Sequence, residues 1–135
     1  MFKSISQIRV RYSETDQMGY VYYGNYATYF EVGRVEALRS LGITYKEMEE
    51  SGLALPVLDF QIRYFKPALY DDLLSVHTVI PELPGVRIRF DYETFNASGI
   101  LLNKASTTLV FLSKQTSRPV TAPEDVLEKM RPFFN

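Results

Sequence analysis

The residues of this chain best suited to chemistry lie in one segment near the N-terminus, residues 14–26, with the sequence ETDQMGYVYYGNY. The carboxylate of Asp16 comes three residues before Gly19, and Gly24 and Asn25 then open a long helical pattern. This spacing can bring one acidic side chain close to the positive end of a helix, where backbone N–H groups lack partners. An anionic base beside such donors suits the hydrolysis of an activated carbonyl compound.

The elements that must position this segment are a strand before it and a helix after it. Residues 5–12 alternate between apolar and polar side chains, which predicts a strand. The pattern over residues 26–41 predicts a helix that begins near Asn25, a good N-cap type, and ends at Gly42. This helix is apolar over much of its circumference, so we expect it to be largely buried.

The rest of the chain has the pattern of a short helix, four strands and a terminal helix. Thr44 and Glu47 have capping-box spacing, which predicts the short helix. Period-two patterns then predict strands around residues 60–64, 74–80, 86–94 and 100–112, and the last is apolar on both faces, as in a central strand. Pro123 begins the terminal helix. We therefore expect an α+β fold in which an antiparallel meander curls around the long helix.

Composition excludes several classes of function. A chain of 135 residues predicts one domain, 1–135, and a net charge of -1 gives no reason to expect nucleic-acid binding. The absence of cysteine excludes disulfides, a thiolate nucleophile and zinc–thiolate sites. A single histidine, His77, argues against a histidine metal site or a Ser-His-Asp triad. The chain has no apolar run typical of a signal peptide or a membrane span, so we expect a cytoplasmic protein.

The sequence resembles the hotdog-fold acyl-CoA thioesterases of the 4-hydroxybenzoyl-CoA thioesterase-like group, which includes the YbgC-type enzymes. The resemblance covers nearly the whole chain, and its most specific part is Tyr12-x-x-Thr15-Asp16-x-x-Gly19-x-Val21-Tyr22-x-x-x-Tyr26. A second block is Tyr64-Phe65-Lys66-Pro67-Ala68, followed by Asp71-Asp72. The resemblance implies a five-stranded antiparallel sheet wrapped around one long central helix. It also implies a homodimer that pairs two sheets, with a homotetramer as the larger alternative.

The resemblance further implies the roles of particular residues. Asp16 would be the catalytic carboxylate, acting as general base or as nucleophile, and the backbone N–H groups of Tyr23 and Gly24 would stabilise the oxyanion. The substrate-binding residues would be Gly19, Val21, Tyr23, Gly24, Asn25, Tyr26 and Lys66. No metal is expected. No cofactor is expected either, because coenzyme A is part of the substrate. Tyr23 departs from the YbgC-type pattern, which usually has His there, whereas the 4-hydroxybenzoyl-CoA type can carry Tyr.

Some of these residues also have structural interpretations, and two other functions remain open. Gly19 suits a turn with positive φ, and Asn25 suits a helix cap better than a substrate contact. Lys66 could meet the phosphates of coenzyme A. One alternative function is a thioesterase for an acyl carrier protein, an acidic partner that requires a basic patch at the cavity mouth. The other is a non-catalytic acyl-CoA binding module, which would bind ligand without releasing free thiol.

Overall fold

The chain, described over residues 1–135 by a computed structural model, forms five long strands, two short strands and three α-helices. In chain order these are β1 (Phe2–Arg9), α1 (Asn25–Ser40), α2 (Tyr45–Glu50), β2 (Leu53–Ala54), β3 (Val57–Tyr64), β4 (Leu73–Ile80), β5 (Arg87–Phe95), β6 (Leu101–Val110), β7 (Leu112–Ser113) and α3 (Glu124–Met130). No helix combines the length and the apolar character needed to cross a membrane.

The five long strands form one antiparallel sheet in the order β1-β4-β5-β6-β3. The prediction that residues 100–112 form a central strand is confirmed, since β6 lies between β5 and β3. The predicted meander is correct for β4, β5 and β6 but wrong for β3, which lies at the opposite edge from β1. The connection from β3 to β4 is too long for a tight hairpin and crosses the end of the sheet. There the N–H groups of Phe65 and Lys66 donate to Leu102 O, and the N–H of Val10 donates to Asp72 O.

The first strand begins and ends earlier than the predicted range of 5–12. Val10 already leaves the ladder, because its N–H and carbonyl group bond to Asp72 and Asp71. The side chain of Glu14 then accepts a hydrogen bond from the backbone N–H of Arg11 at 2.8 Å. This bond turns the chain into a 3₁₀ turn at Tyr12–Glu14, where the alternation predicted a continuing strand.

Helix α1 packs on the inner face of the sheet. It has 16 residues, and its bounds lie within one residue of the predicted range. The ring of Phe30 stacks on Tyr92 of β5 at 4.5 Å between centroids and meets Phe60 of β3 edge-on at 5.9 Å. Alternate residues of β4 are buried beneath the helix: Leu74, Val76, Thr78 and Ile80. The N-terminus of α1 is thereby fixed beside the loop that carries Asp16.

Candidate active site

Asp16 is held in its loop by a hydrogen-bonded turn. Its Oδ1 accepts hydrogen bonds from the backbone N–H groups of Met18 at 2.8 Å and Tyr20 at 3.3 Å. The turn closes through Asp16 N–H to Tyr20 O at 2.8 Å and Gly19 N–H to Asp16 O at 3.0 Å. Gly19 has φ +79°, a conformation that favours glycine, in agreement with the turn predicted there. The second carboxylate oxygen, Oδ2, accepts no hydrogen bond from the chain, and the side chain is exposed.

A cavity of about 330 Å³ lies beside this turn, and Asp16 is part of its wall. The cavity is mostly aromatic and apolar, and its lining consists of Asp16, Tyr20, Val21, Tyr23, Tyr26, Tyr64, Phe65, Lys66 and Pro67. The structure therefore brings Asp16 together with four of the predicted binding residues, Val21, Tyr23, Tyr26 and Lys66. Gly19, Gly24 and Asn25 lie close in sequence but do not line the cavity.

The N-terminus of α1 presents backbone donors next to this cavity. The N–H of Asn25 donates to Tyr22 O at 2.9 Å, and that of Tyr26 donates to Tyr23 O at 3.2 Å. The N–H groups of Tyr23 and Gly24 donate to no acceptor within the chain. Two of the orphan donors expected at a helix N-terminus are thus available for a ligand.

The residue at the N-cap of α1 is Gly24, and the prediction of Asn25 at this position is wrong. Asn25 is instead the first helical residue, and its side-chain Nδ2 donates to Glu14 O at 2.8 Å. A Cβ at position 24 would lie 2.7 Å from the ring of Tyr22, an exposed side chain that can move aside. The backbone φ of −62° is open to any residue, so neither feature requires glycine at the helix entry.

A second carboxylate, Glu14, is buried behind the loop and was not predicted from the sequence. Its Oε1 accepts from Tyr29 Oη at 2.9 Å, and its Oε2 accepts from Arg11 Nη2 at 3.1 Å. Burial raises the pKa of Glu14, but hydrogen bonds from the Arg11 backbone, the Tyr29 hydroxyl and the Arg11 guanidinium outweigh it and lower the pKa overall. The one sequence signal was an arginine three residues before an acid, which is also common on exposed surfaces.

Two tyrosines of the cavity wall, Tyr26 and Tyr64, stay neutral near neutral pH because their pKa is raised. Burial raises the pKa of Tyr26 and is also the main cause of the raised pKa of Tyr64. The rings of these two residues lie 5.6 Å apart between centroids. The wall therefore offers aromatic surface and phenol groups to a ligand, and Lys66 contributes a cationic side chain.

A larger cavity, of about 550 Å³, lies on the outer face of the sheet and contains His77. Its charged residues are largely paired with each other, as in Arg89–Asp91 at 2.9 Å and Lys104–Glu93 at 3.7 Å. It contains no helix N-terminus and none of the predicted site residues. The chemistry of the lining therefore favours the smaller cavity at Asp16 as the active site.

The chain is similar to known proteins over most of its length. The pattern of the thioesterase-like superfamily matches residues 10–130. The Bacillus subtilis protein YneP is 39% identical over 120 residues, which are 89% of this chain and 87% of YneP. The acyl-CoA thioesterase YbgC of Haemophilus influenzae is 35% identical over 120 residues, 88% of each protein. The crystal structure of DHNA-CoA thioesterase from Staphylococcus aureus superposes with a TM-score of 0.94 at 36% identity, covering 98% of this chain and 91% of that one.

Proposed function

The chain belongs to the thioesterase-like superfamily, and from that premise we propose how its residues make it an acyl-CoA thioesterase. It hydrolyses an acyl-CoA thioester to a free acid and coenzyme A. Asp16 is the catalytic carboxylate, and the N–H groups of Tyr23 and Gly24 stabilise the oxyanion. The observation that carries this assignment is an aspartate with one oxygen fixed by a turn and the other free, on the wall of a cavity that also contains Tyr23.

A single carboxylate is enough for this chemistry because the leaving group is a thiolate. An alkyl thiol has a pKa of about 8.5, by analogy with cysteine, so the thiolate can depart without a strong general acid. In one route Asp16 removes a proton from water, the water oxygen attacks the carbonyl carbon, and the C–S bond then breaks. In the other route a carboxylate oxygen attacks the carbonyl carbon, the C–S bond breaks and releases the thiolate, and water hydrolyses the resulting mixed anhydride.

The backbone donors supply the second half of the mechanism. When the carbonyl carbon becomes tetrahedral, its oxygen gains negative charge, and donors fixed at a helix N-terminus stabilise that charge. A single oxyanion donor typically contributes about 10²–10³ in rate. Lys66 and the aromatic wall would hold the substrate, since neither has an obvious part in breaking the C–S bond.

A pair of substitutions at position 23 tests the oxyanion donor. Tyr23 occupies the second position of the turn closed by Asn25 N–H to Tyr22 O, where proline is well tolerated. Tyr23→Pro removes the N–H and the side chain, whereas Tyr23→Ala removes the side chain alone. We expect kcat of Tyr23→Pro to be about 10²-fold below that of Tyr23→Ala. Equal kcat values for the two folded variants would exclude this N–H as a donor.

The choice among the three functions left open by the sequence needs one assay. Release of free thiol is measured with a panel of acyl-CoA thioesters and with the same acyl groups on an acyl carrier protein. An acyl-CoA thioesterase gives its highest kcat/KM with coenzyme A thioesters. Higher kcat/KM with the carrier protein would change the substrate class, and ligand binding without thiol release would indicate a binding module.

We also propose that the enzyme is a homodimer in which each five-stranded sheet wraps around its own α1 as the long central helix and the two sheets pair at their β3 edges. An open sheet edge is a template for pairing, and β3 exposes an apolar set along its length: Val57, Leu58, Phe60 and Tyr64. Tyr64 also lines the Asp16 cavity, so a second subunit at this edge would border the site.

A tetramer, a cytoplasmic location and the absence of a metal or cofactor stay predictions from the sequence.

A further inference from the structure

Glu14 is the most heavily bonded carboxylate near the site, although it does not line the cavity. The residue is 9% exposed. Its Oε1 accepts from Arg11 N–H at 2.8 Å and from Tyr29 Oη at 2.9 Å. Its Oε2 accepts from Arg11 Nε at 3.2 Å and Nη2 at 3.1 Å, which is a two-pronged guanidinium contact. A buried charge with this many donors is well compensated.

The backbone of the same residue bonds the start of the helix. The carbonyl oxygen of Glu14 accepts from Tyr22 N–H and from Asn25 Nδ2, both at 2.8 Å. Tyr29 belongs to the second turn of α1, so the side-chain contact also reaches the helix. Glu14 is thus joined to α1 and its entry at three points: Tyr22, Asn25 and Tyr29.

These contacts fix the distance between the segment that carries the Asp16 carboxylate and the backbone N–H donors at the start of α1. Asp16 follows Glu14 by two residues along the chain, and the N–H groups of Tyr23 and Gly24 lie between Tyr22 and Asn25. A movement of the Glu14 segment of the loop away from the start of α1 would break these bonds. A misplacement of about 1 Å can cost about 10² in rate even when the altered residue is away from the chemistry.

We propose that Glu14 is a positioning residue that holds the Asp16 carboxylate at a fixed separation from the N-terminus of α1. This inference rests on the proposed role of Asp16. Glu14 does not line the cavity, so its loss should lower kcat while KM changes little. A purely structural role would instead lower stability and leave kcat per folded molecule unchanged.

The test compares Glu14→Gln with Glu36→Gln. Glu36 is also an acid paired with an arginine three residues away, Arg39 at 3.3 Å, but it lies on the exposed side of α1. Glutamine keeps the size of Glu14 and one acceptor oxygen, while its amide group opposes the Arg11 guanidinium. We expect kcat of Glu14→Gln to fall on the order of 10²-fold with little change in KM, and Glu36→Gln to match the wild type.

Tyr29→Phe provides a milder variant that removes a single hydrogen bond to Glu14. We expect a smaller loss of kcat than in Glu14→Gln, because the bonds between Glu14 and Arg11 remain. If Glu14→Gln fails to fold, Tyr29→Phe decides: lowered kcat supports positioning, and wild-type kcat overturns it. If Glu14→Gln folds and its kcat per folded molecule equals that of the wild type, the positioning role is also overturned. This holds even if the melting temperature of the variant is lower.

Asp16→Asn, measured alongside, separates this inference from the mechanism on which it rests. If Asp16→Asn is inactive and Glu14→Gln is fully active, only the positioning role of Glu14 is wrong. If Asp16→Asn retains wild-type kcat, the proposed catalytic role of Asp16 is itself wrong.

Discussion

Two carboxylates that are two positions apart in the chain have opposite surroundings, and these surroundings suit the different roles proposed for them. Asp16 is exposed on a cavity wall, with one oxygen free of hydrogen bonds from the chain. Glu14 is buried, with both oxygens bonded to Arg11 and one of them also to Tyr29. A free carboxylate oxygen can take a proton or attack a carbonyl carbon, whereas a fully bonded one can only hold its neighbours in place.

The lowered pKa of Glu14 makes a prediction about stability in acid. Two residues face its carboxylate, Arg11 and Tyr29. Burial and the hydrogen bond to Glu14 raise the pKa of Tyr29, so the phenol of Tyr29 stays protonated. A carboxyl whose pKa is lower in the folded state stabilises the fold above its unfolded pKa, about 4.3, and this contribution is lost as pH falls through the folded pKa. Below about pH 4.3 the wild type should therefore lose unfolding free energy more steeply than Glu14→Gln. Chemical denaturation across pH 3–7 measures both slopes, and parallel curves would contradict the prediction.

Sequence reasoning located Asp16 but not Glu14, and the reason is physical. Asp16, Val21, Tyr23 and Tyr26 belong to one continuous motif, so their meeting at one cavity needed only a turn and a helix start. Glu14 and Asp16 are both acids in the same loop, and nothing local distinguishes them. Which of the two is buried depends on Tyr29, whose hydroxyl reaches Glu14 only after α1 has packed on the sheet.

At the scale of elements, the close approach of α1 to β4 depends on the absence of a side chain at Gly33. A Cβ at this position would lie 2.6 Å from Thr78 Oγ1 and 3.1 Å from Val76 Cγ1. Both contacts are to buried side chains, which have little room to shift. Because α1 begins at the candidate oxyanion donors, the position at which α1 packs on β4 also affects where those donors lie.

Gly33→Ala should therefore destabilise the protein although alanine favours helix formation. The helix preference is worth about 1 kcal/mol, and overpacking a close contact costs about 1–3 kcal/mol, so we expect a net loss on the order of 1 kcal/mol. Gly85→Ala is the control, since no atom lies within 4 Å of a Cβ there. Urea unfolding of both variants measures the difference. A Gly33→Ala protein as stable as Gly85→Ala would show that the contact is looser than described.

The elements that could be predicted are those with strong local patterns. β4 and β5 alternate cleanly, and the buried residues of β4 are the apolar half of that pattern together with Thr78. The placement of β3 beside β6 was not predictable, because strand pairing across the sheet depends on contacts distant in sequence. The N-cap was misplaced by one residue, since the side chain of Asn25 bonds Glu14 O and leaves the cap to Gly24.

For the whole molecule, the two edges of the sheet make a comparison that tests the proposed dimer. Leu58 on the β3 edge is 51% exposed, and Ile5 on the β1 edge is 57% exposed. An arginine at either position can remain in water, so neither substitution should unfold the chain. We expect Leu58→Arg to shift the protein toward monomer and to lower activity, and Ile5→Arg to remain dimeric. Sedimentation velocity over a range of concentrations measures both, and dissociation by Ile5→Arg alone would assign the interface to β1.

The central claim concerns the carboxylate of Asp16, and kcat of Asp16→Asn tests it most directly. Asparagine keeps an Oδ1 that can accept from Met18 and Tyr20, so the turn should survive while the charge and the free carboxylate oxygen are lost. Asp125→Asn, at an exposed position of α3, is the matched control. We predict that kcat for acyl-CoA hydrolysis falls at least about 10²-fold in Asp16→Asn at an unchanged melting temperature, and stays at the wild-type value in Asp125→Asn. A folded Asp16→Asn enzyme with wild-type kcat would contradict the account.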